Sequence, residues 1–301
     1  MSLDATPTVP SARWSSRLAL FSVGLLLVTL VLHRFFTLSS PLAINLFVVG
    51  LAGTGLAMLL GMVALVRIWF TGHTGAGSAA LGVLAGAVAL AGPVGFGLAY
   101  YHLPWIYDVT TDPDNPPAFA TLSVRPPGAN ASAYRGKAFA ELQAKAYPDL
   151  RTLELDRSAE EAFELVEEAV RRLRWSVMVE EPPMTGKDAA AGVIEATEQT
   201  LFLGFSDDIV IRIEGDGTRA KIDARSASRY GSFDLGQNAA RLRRLFAEIR
   251  ARAEVTLSAA ATTAAAEKGK SPEAASKTLF KRKKGVDPRK AGSRYGRGPG
   301  K

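Results

Sequence analysis

The sequence predicts an α+β protein in which three N-terminal transmembrane helices precede a two-layer domain, an antiparallel sheet packed on two helices. Three observations lead to this fold class. Apolar residues are concentrated in the first third of the 301-residue chain. Apolar and polar residues alternate repeatedly between residues 175 and 228, as in half-buried strands. The segment 234–255 carries an apolar stripe at helical spacing.

Three apolar segments are long enough to cross a bilayer. Each approaches or exceeds the roughly 20 apolar residues that span a hydrocarbon core, and they cover residues 18–36, 42–66 and 79–101. A cleaved signal peptide is the alternative for the first segment, because Arg13 and Arg17 precede its apolar core. Its end, HRFFTLSS, lacks a small-x-small cleavage site. We therefore expect a retained first span behind a short N-terminal segment, residues 1–17.

Basic residues near the spans predict the orientation. Arg13 and Arg17 precede the first span and Arg67 follows the second, whereas Arg34 alone lies on the opposite side. Short loops rich in Lys and Arg remain in the cytoplasm. The N-terminus is therefore expected inside and everything after Tyr101 outside, which in a bacterial inner membrane is the periplasm.

Small residues in two spans indicate close helix packing. Gly82 and Gly86 lie four residues apart in the third span, and Ala57 and Gly61 repeat this spacing in the second. These faces are expected either to join two copies of the chain as a homo-oligomer or to pack on each other within one chain. Pro93 is expected to kink the third helix, and the absence of ionisable residues mid-span argues against a transporter.

Composition excludes several chemistries from the soluble part of the chain. There is no cysteine, and the only histidines, His33, His73 and His102, flank the apolar segments. Thiol nucleophiles, His-based triads and the usual zinc sites are therefore excluded there. We expect neither a cofactor nor a bound metal.

The segment 102–151 reads as an extended connector, because it contains DPDNPP at 112–117 and RPPG at 125–128. Asp112, Asp114 and Asn115 resemble the start of a calcium loop. The remaining ligands and the closing Glu of an EF-hand are missing, however, so turn chemistry is the preferred interpretation.

The soluble domain is expected over residues 152–255. A short strand, TLEL, leads to Ser158 and Glu161, which form a capping box for a first helix. The second helix is expected to run from about Asp234 to Val255. Four strands lie between the helices, at residues 175–181, 193–200, 208–215 and 219–228. The third and fourth of these strands are joined by a hairpin turn at residues 215–217. This order resembles a helix-grip arrangement.

Alternation assigns the two faces of the sheet. One face is apolar and is expected to contact the helices; it comprises Ile194, Ala196, Ile209, Ile211, Ile213, Ile222 and Ala224. The opposite face carries Arg225 together with Glu195, Arg212 and Asp223. We expect the last three to form an exposed cross-strand ladder of charges.

Two polar groups are candidate sites. Asp207 and Asp208, which follow the aromatic loop 202–205, suggest a cation site or an acid–base pair. Consecutive strand residues point to opposite faces, which argues against joint action on one substrate atom.

The second group occupies the end of the fourth strand and the start of the last helix. An anion site formed by arginines and free helix N–H groups is one interpretation. The other is a structural joint, in which Asp234 caps the helix, Asn238 bonds the preceding loop and the arginines pair with Asp207, Asp208 or Asp223. The group comprises Arg225, Ser226, Ser228, Arg229, Asp234 and Asn238.

The C-terminal tail, residues 256–301, is basic and of low complexity. It contains twelve Lys or Arg against three acids, including KRKK at 281–284. Such composition is typical of disorder, and the tail is expected to contact anionic lipids or envelope polymers.

Two runs carry a resemblance to a known family, IEATEQTLFLGFSDDIVIRIE at 194–214 and IDARSASRYGSFDLGQNAARLR at 222–243, with TTDPDNPPAF upstream. Over about residues 105–253 the chain resembles the bacterial family with domain of unknown function 1499, in which three spans before the domain are familiar. The resemblance implies the fold and membrane association but no catalytic residue.

These observations favour a non-enzymatic envelope protein, a binding or assembly module anchored by the three spans. The alternative is a carboxylate- or metal-dependent hydrolase that uses Asp207 and Asp208.

Overall fold

The computed structural model describes residues 7–184, 186, 189–200 and 203–268. Its first part is a bundle of three antiparallel helices, α1 Pro10–Phe35, α2 Ser40–Thr71 and α3 Ala76–Tyr100. All three are long and apolar enough to cross a membrane. The prediction of three N-terminal apolar helices is confirmed, although α1 begins at Pro10, a residue well suited to a first helical position. Residues 10–17, expected in the N-terminal segment, are therefore helical.

The small residues of α2 and α3 pack against each other within this one chain. A Cβ added at Gly86 would lie 2.8 Å from the carbonyl oxygen of Thr54, and one at Gly61 would lie 2.6 Å from that of Ala79. Ser15 of α1 donates a hydrogen bond to the carbonyl oxygen of Ala57, 2.8 Å away. Glycine is needed here because the backbones approach too closely for a side chain. A homo-oligomer through these helices remains a prediction.

The domain that follows is an α+β sandwich, as predicted. The elements before its main hairpins are β1 Asp108–Thr110, a 3₁₀ turn at Thr121–Ser123, α4 Lys137–Ala146, β2 Leu153–Leu155 and α5 Ala159–Arg172. They are followed by β3 Ser176–Glu181, β4 Gly192–Gln199, β5 Ser206–Gly215, β6 Ala220–Ser228 and α6 Gln237–Lys268. The antiparallel sheet has the order β1-β6-β5-β4-β3, and β2 also pairs with β6.

The chain divides into two units, residues 1–249 and 250–301. In the second unit α6 continues to Lys268. Residues 256–268, expected in the disordered tail, are therefore helical. The remainder of that predicted tail, including KRKK at 281–284, lies outside the described residues.

The predicted connector 102–151 is part of the fold, which corrects the sequence-based interpretation. It supplies β1 and α4, and the side chains of Ile106, Val109 and Phe139 lie in the same buried cluster as the sheet isoleucines. Prolines and short polar residues do mark its turns. A three-residue strand between such turns is too short to display the alternation by which strands are recognised.

The main core lies between the sheet and the helices α5 and α6. Ile209, Ile211, Ile213 and Ile222 are fully buried, as the alternation predicts. They share one cluster with Phe163 and Val166 of α5 and with Leu242, Phe246 and Ile249 of α6. Complete burial of each such side chain stabilises the fold by about 1.5–3 kcal/mol, so this layer anchors both helices.

The opposite face of the sheet is covered, so the prediction of an exposed charge ladder is wrong. Residues 111–124 lie over this face. Arg212 is directly opposite Asp223, but Glu195 is opposite Val210. The carboxylate of Glu195 is fully buried and accepts hydrogen bonds from the backbone N–H groups of Ala120 and Leu122. The face assignment itself was right; the segment that covers the face was mistaken for a free connector.

The helix bundle and the domain meet at the C-terminal end of α1. The ring Nδ1 of His33 lies 2.6 Å from the carbonyl oxygen of Leu203, and Arg34 donates to Oε1 of Gln199 at 2.9 Å. The ring centroids of His33 and Phe205 are 4.7 Å apart. The domain is thus held against the end of the bundle by more than the α3 connection.

Candidate functional site

Asp207 and Asp208 project to opposite faces of β5. Asp207 is directly opposite Ser228 on the helix side of the sheet, and Asp208 is opposite Ala227 on the other side. The two carboxylates therefore cannot act on one atom, as the alternation predicts. Of the aromatic loop that precedes them, residues 203–205 are described and residues 201 and 202 lie outside the described residues.

Asp207 belongs to a buried network with Arg241 of α6. The Nη2 atom of Arg241 lies 2.7 Å from Oδ2 of Asp207, and its Nε lies 2.5 Å from Oε2 of Glu198. Its Nη1 donates to Ser226 and to Asn238. Burial alone would lower the pKa of Arg241, but the charges of Asp207 and Glu198 and the hydrogen bonds to both carboxylates together raise it. Arg241 is therefore a permanent cation within the fold.

Asn238 connects the start of α6 to the sheet. Its Oδ1 accepts a hydrogen bond from Ser226 at 2.7 Å, and its Nδ2 donates to Ser228 at 3.1 Å. The same Nδ2 donates to the carbonyl oxygen of Tyr107 at 2.9 Å. The expectation that Asn238 bonds the segment from Arg225 to Phe233 is confirmed. Its bond to Tyr107, in the supposed connector, was not foreseen.

Asp234 holds the N–H groups at the beginning of α6. Its carboxylate accepts from the backbone N–H of Gly236 at 2.8 Å and of Asn238 at 3.0 Å. Because α6 begins at Gln237, Asp234 lies two residues before the N-cap position yet satisfies the donors that a cap would satisfy. Burial raises the pKa of Asp234, while these hydrogen bonds act in the opposite direction.

Asp208 lies between two arginines on the other face. Nη2 of Arg229 is 2.7 Å from its Oδ1, and Nη2 of Arg125 is 3.1 Å from its Oδ2. The predicted pairing of Arg229 with an acid is confirmed, with Asp208 as the partner. Burial raises the pKa of Asp208, and the two arginines oppose this shift. Arg125, from the RPPG turn, was not identified from the sequence.

Arg225 pairs with Asp108, which corrects the expected pairing with Asp207, Asp208 or Asp223. Its Nε and Nη2 donate to the two carboxylate oxygens of Asp108 at 2.9 and 2.6 Å. The guanidinium lies 4.9 Å from the ring centroid of Phe119 and 5.3 Å from that of Tyr134. Burial raises the pKa of Asp108, against the effect of Arg225. Asp108 was not predicted as a partner, because it lies in β1, a strand too short to be recognised from the sequence.

Asp112 also has an internal role. Its Oδ1 accepts from the backbone N–H of Asn115 at 3.0 Å, as in a turn, and its Oδ2 binds Arg212 at 3.0 Å. Arg212 lies 3.3 Å from Asp223, whose other oxygen accepts from Thr111. The turn interpretation of this segment agrees with the geometry.

The predicted six-residue group is divided by the sheet. Ser226, Ser228, Asp234 and Asn238 lie together on the helix side, with Asp207 and Arg241. Arg225 and Arg229 lie on the other side, each against its own carboxylate. In both groups each arginine pairs with a carboxylate of the domain itself.

The arrangement offers few free groups for a ligand. Among the described residues, no cluster of three or more His, Asp or Glu could hold a metal ion. The first N–H groups of α6 are occupied by Asp234, and the arginines that suggested an anion site are occupied by Asp108 and Asp208. These ion pairs and hydrogen bonds therefore hold α6 and residues 108–132 on the sheet.

Comparisons with known proteins place the domain in a family. Searches of curated proteins and of solved structures found no match to the chain. A family model does match, over the segment that includes β1, both faces of the sheet and α6 as far as Ile249. Residues 108–249 are thus a domain of the family described as "Protein of unknown function (DUF1499)".

Proposed function

We propose that this protein is a membrane-anchored, non-enzymatic binding or assembly module of the bacterial envelope, with its domain in the periplasm. The observation that carries the proposal is the pairing of the buried carboxylates. Asp108, Asp207 and Asp208 each contact a buried or largely buried arginine at 2.6–3.1 Å. A catalytic site would need free carboxylates, whereas these carboxylates are paired with arginines of the domain itself.

The hydrolase alternative receives less support from the same geometry. A general base must reach the proton that it abstracts from a substrate. Asp207 is 4% exposed and Asp208 is fully buried, and they face opposite sides of β5. A reaction at either residue would require the ion pairs that hold the domain together to open first.

The distribution of arginines supports the proposed orientation. Arg13 and Arg17 lie near the beginning of α1, and Arg67 lies near the end of the antiparallel α2, at the same end of the bundle. Arg34 lies at the opposite end, where it contacts Gln199 of the domain. The more basic end normally faces the cytoplasm, which favours a periplasmic domain.

Envelope binding through the basic tail is a further part of the proposal. Residues 269–301 lie outside the described residues, and their basic composition supports this part. A cationic segment binds anionic lipid surfaces with about 1 kcal/mol per basic residue. Anionic lipids or envelope polymers are the proposed partners.

Reporter fusions test the orientation directly. Alkaline phosphatase or a cytoplasmically fluorescent protein is fused after Lys301 of the full chain and expressed in a bacterium. We expect phosphatase activity without fluorescence, because phosphatase folds productively outside the cytoplasm. Fluorescence without phosphatase activity would overturn the periplasmic assignment.

An activity comparison tests the non-enzymatic assignment. The purified full-length protein is assayed with chromogenic phosphate and carboxylate esters, with and without Mg²⁺ or Ca²⁺. We expect no turnover above that of the Asp208→Asn variant. Turnover that disappears in Asp208→Asn, in protein that circular dichroism shows to be folded, but persists in Asp149→Asn, an exposed acid that pairs with Arg243, would establish the hydrolase instead.

A further inference from the structure

A groove lies on the outer surface of the helix bundle, between α1 and α2. It has a volume of about 450 Å³, within the range of about 300–1,000 Å³ that is typical of ligand pockets. Its apolar lining consists of Leu18, Phe21, Leu56 and Leu60. Phe21 and Leu56 are more than half exposed, so this surface faces the surroundings of the bundle.

A cation lies at one edge of the groove. Arg17 and Trp14 complete the lining, and the guanidinium of Arg17 lies over the Trp14 ring, 6.0 Å from its centroid. Side chains on a helix lean toward its N-terminus, so the cation lies one turn nearer the bundle end than its own Cα. Trp is typical of membrane–water interfaces. The groove is therefore apolar, and the guanidinium of Arg17 lies beside Trp14 at its edge.

The depth of the apolar part follows from helix geometry. Phe21 lies seven residues beyond Trp14 on α1, which corresponds to about 10 Å at a rise of about 1.5 Å per residue. On the antiparallel α2, Leu56 lies beside this stretch and Leu60 lies beside its Trp14 end, since Ser15 bonds the carbonyl oxygen of Ala57. An elongated apolar chain beside a charged head matches this shape.

The charge of Arg17 has no described acidic partner in this part of the chain. Residues 5–107 contain no Asp or Glu, and Asp4 lies outside the described residues. The acids of the domain begin at Asp108, after α3 has returned to the opposite end of the bundle. At the membrane–water interface, where the dielectric constant is lower than in water, the charge of Arg17 would therefore attract a negative group from outside the bundle.

We propose that this groove binds one anionic phospholipid, with its phosphate at Arg17 and an acyl chain along Phe21 and Leu56. The inference rests on α1–α3 crossing a bilayer and is independent of what the domain binds and of the orientation. It differs from general attraction of lipids to the basic residues, because the groove adds an apolar site for one chain beside one particular cation.

Native mass spectrometry tests the proposal on the full-length protein in detergent, titrated with phosphatidylglycerol or phosphatidylcholine. We expect one phosphatidylglycerol to bind at least about five-fold more tightly than phosphatidylcholine, the ratio that corresponds to about 1 kcal/mol per basic residue. Arg17→Gln should abolish that preference, and Arg17→Lys should retain it.

Two further variants separate the groove from general surface charge. Arg67→Gln removes a cation from the same end of the bundle but not from the groove, and should leave the preference unchanged. Leu56→Trp should fill the groove and weaken binding of both lipids. Circular dichroism checks that each variant is folded. Equal losses in Arg17→Gln and Arg67→Gln, or no preference in the unaltered protein, would overturn the proposal and indicate surrounding lipid only.

Discussion

Arg241 of α6 and Asp207 of β5 form a buried ion pair that joins the last helix to the sheet, with 2.7 Å between Nη2 and Oδ2. The side chain of Arg241 is 2% exposed and that of Asp207 is 5% exposed. Glu198 provides a second carboxylate at 2.5 Å. Although burial raises the pKa of Glu198, the charges of Arg241 and Arg244 and the hydrogen bonds from Arg241 and Trp175 together lower it below its ordinary value.

Removal of Arg241 should destabilise the domain strongly. Arg241→Met keeps most of the volume but leaves Asp207 as an uncompensated buried charge, which typically costs about 3–5 kcal/mol. Urea unfolding of the full-length protein in detergent, followed by circular dichroism, measures the loss. Arg243→Met is the matched control, because the Arg243–Asp149 pair is about half exposed and such pairs contribute at most about 1 kcal/mol. Equal losses in both variants would contradict this account.

Loss of the Asn238 amide should also reduce stability. Asn238→Ala leaves the hydroxyls of Ser226 and Ser228 and the carbonyl of Tyr107 without this partner, at a cost of about 1–3 kcal/mol. The same urea unfolding measurement applies. Its neighbour Gln237 is exposed, so Gln237→Ala should remain within about 0.5 kcal/mol of the unaltered protein. An unchanged midpoint for Asn238→Ala would remove the energetic basis of the joint.

Glu195 should control the opening of the segment over the sheet. Its carboxylate accepts from the N–H groups of Ala120 and Leu122, and hydrogen bonds to charged groups contribute about 1.5–3 kcal/mol. Glu195→Ala should therefore accelerate amide hydrogen exchange in residues 117–124 by roughly 10- to 100-fold. Glu214→Ala removes a half-exposed acid from β5 and should not. Unchanged protection in Glu195→Ala would mean that other contacts hold this segment.

Two tyrosines, the partly buried Tyr134 and the buried Tyr147, should make the fold sensitive to alkali. Burial and the nearby charge of Asp108 raise the pKa of Tyr134 to about 12, and burial and the charge of Asp234 raise that of Tyr147 to about 12. The ordinary value is 10.0. Between these values the unfolded chain loses protons that the folded chain retains, so the free energy of unfolding should fall as the pH rises.

Ultraviolet absorbance near 295 nm measures this titration. The difference between the unaltered protein and Tyr147→Phe should show a group that ionises about two pH units above ordinary tyrosine. Tyr134→Phe should give the same difference. A midpoint near pH 10 for either tyrosine would show that its hydroxyl is more accessible than the structure indicates.

Much of the helix side of the domain could be predicted from the sequence, because it is governed by short-range patterns. The isoleucines of β5 alternate over enough residues to assign their face, and the turn at Asp216 carries its own glycines. There Oδ1 of Asp216 accepts from the N–H groups of Thr218 and Arg219. Asp234 and Asn238 were identified for the same reason, since Asp234 bonds Gly236 and Asn238 and two partners of Asn238, Ser226 and Ser228, lie within 12 residues of it.

The other face could not be predicted, because its contacts join residues far apart in sequence. Asp108 and Arg225 are 117 residues apart, and no local pattern marks Asp108 as a strand residue. Arg241 lay hidden for a different reason. It follows Asn238 by three residues and so shares its helix face, which could have indicated its role. An arginine in a helix of mixed composition is, however, normally predicted to be exposed to solvent.

The central claim is that the acids and arginines of the candidate site are internal ties that hold residues 108–132 and α6 on the sheet. A double-mutant cycle between Asp108 and Arg225 tests it most directly, with Asp108→Asn, Arg225→Met and the double variant compared by urea unfolding. This account predicts a coupling energy of about 1.5 kcal/mol or more, as for close buried charge pairs. Single-variant losses that add to within about 0.5 kcal/mol would show that the two side chains are independent, and would contradict the account.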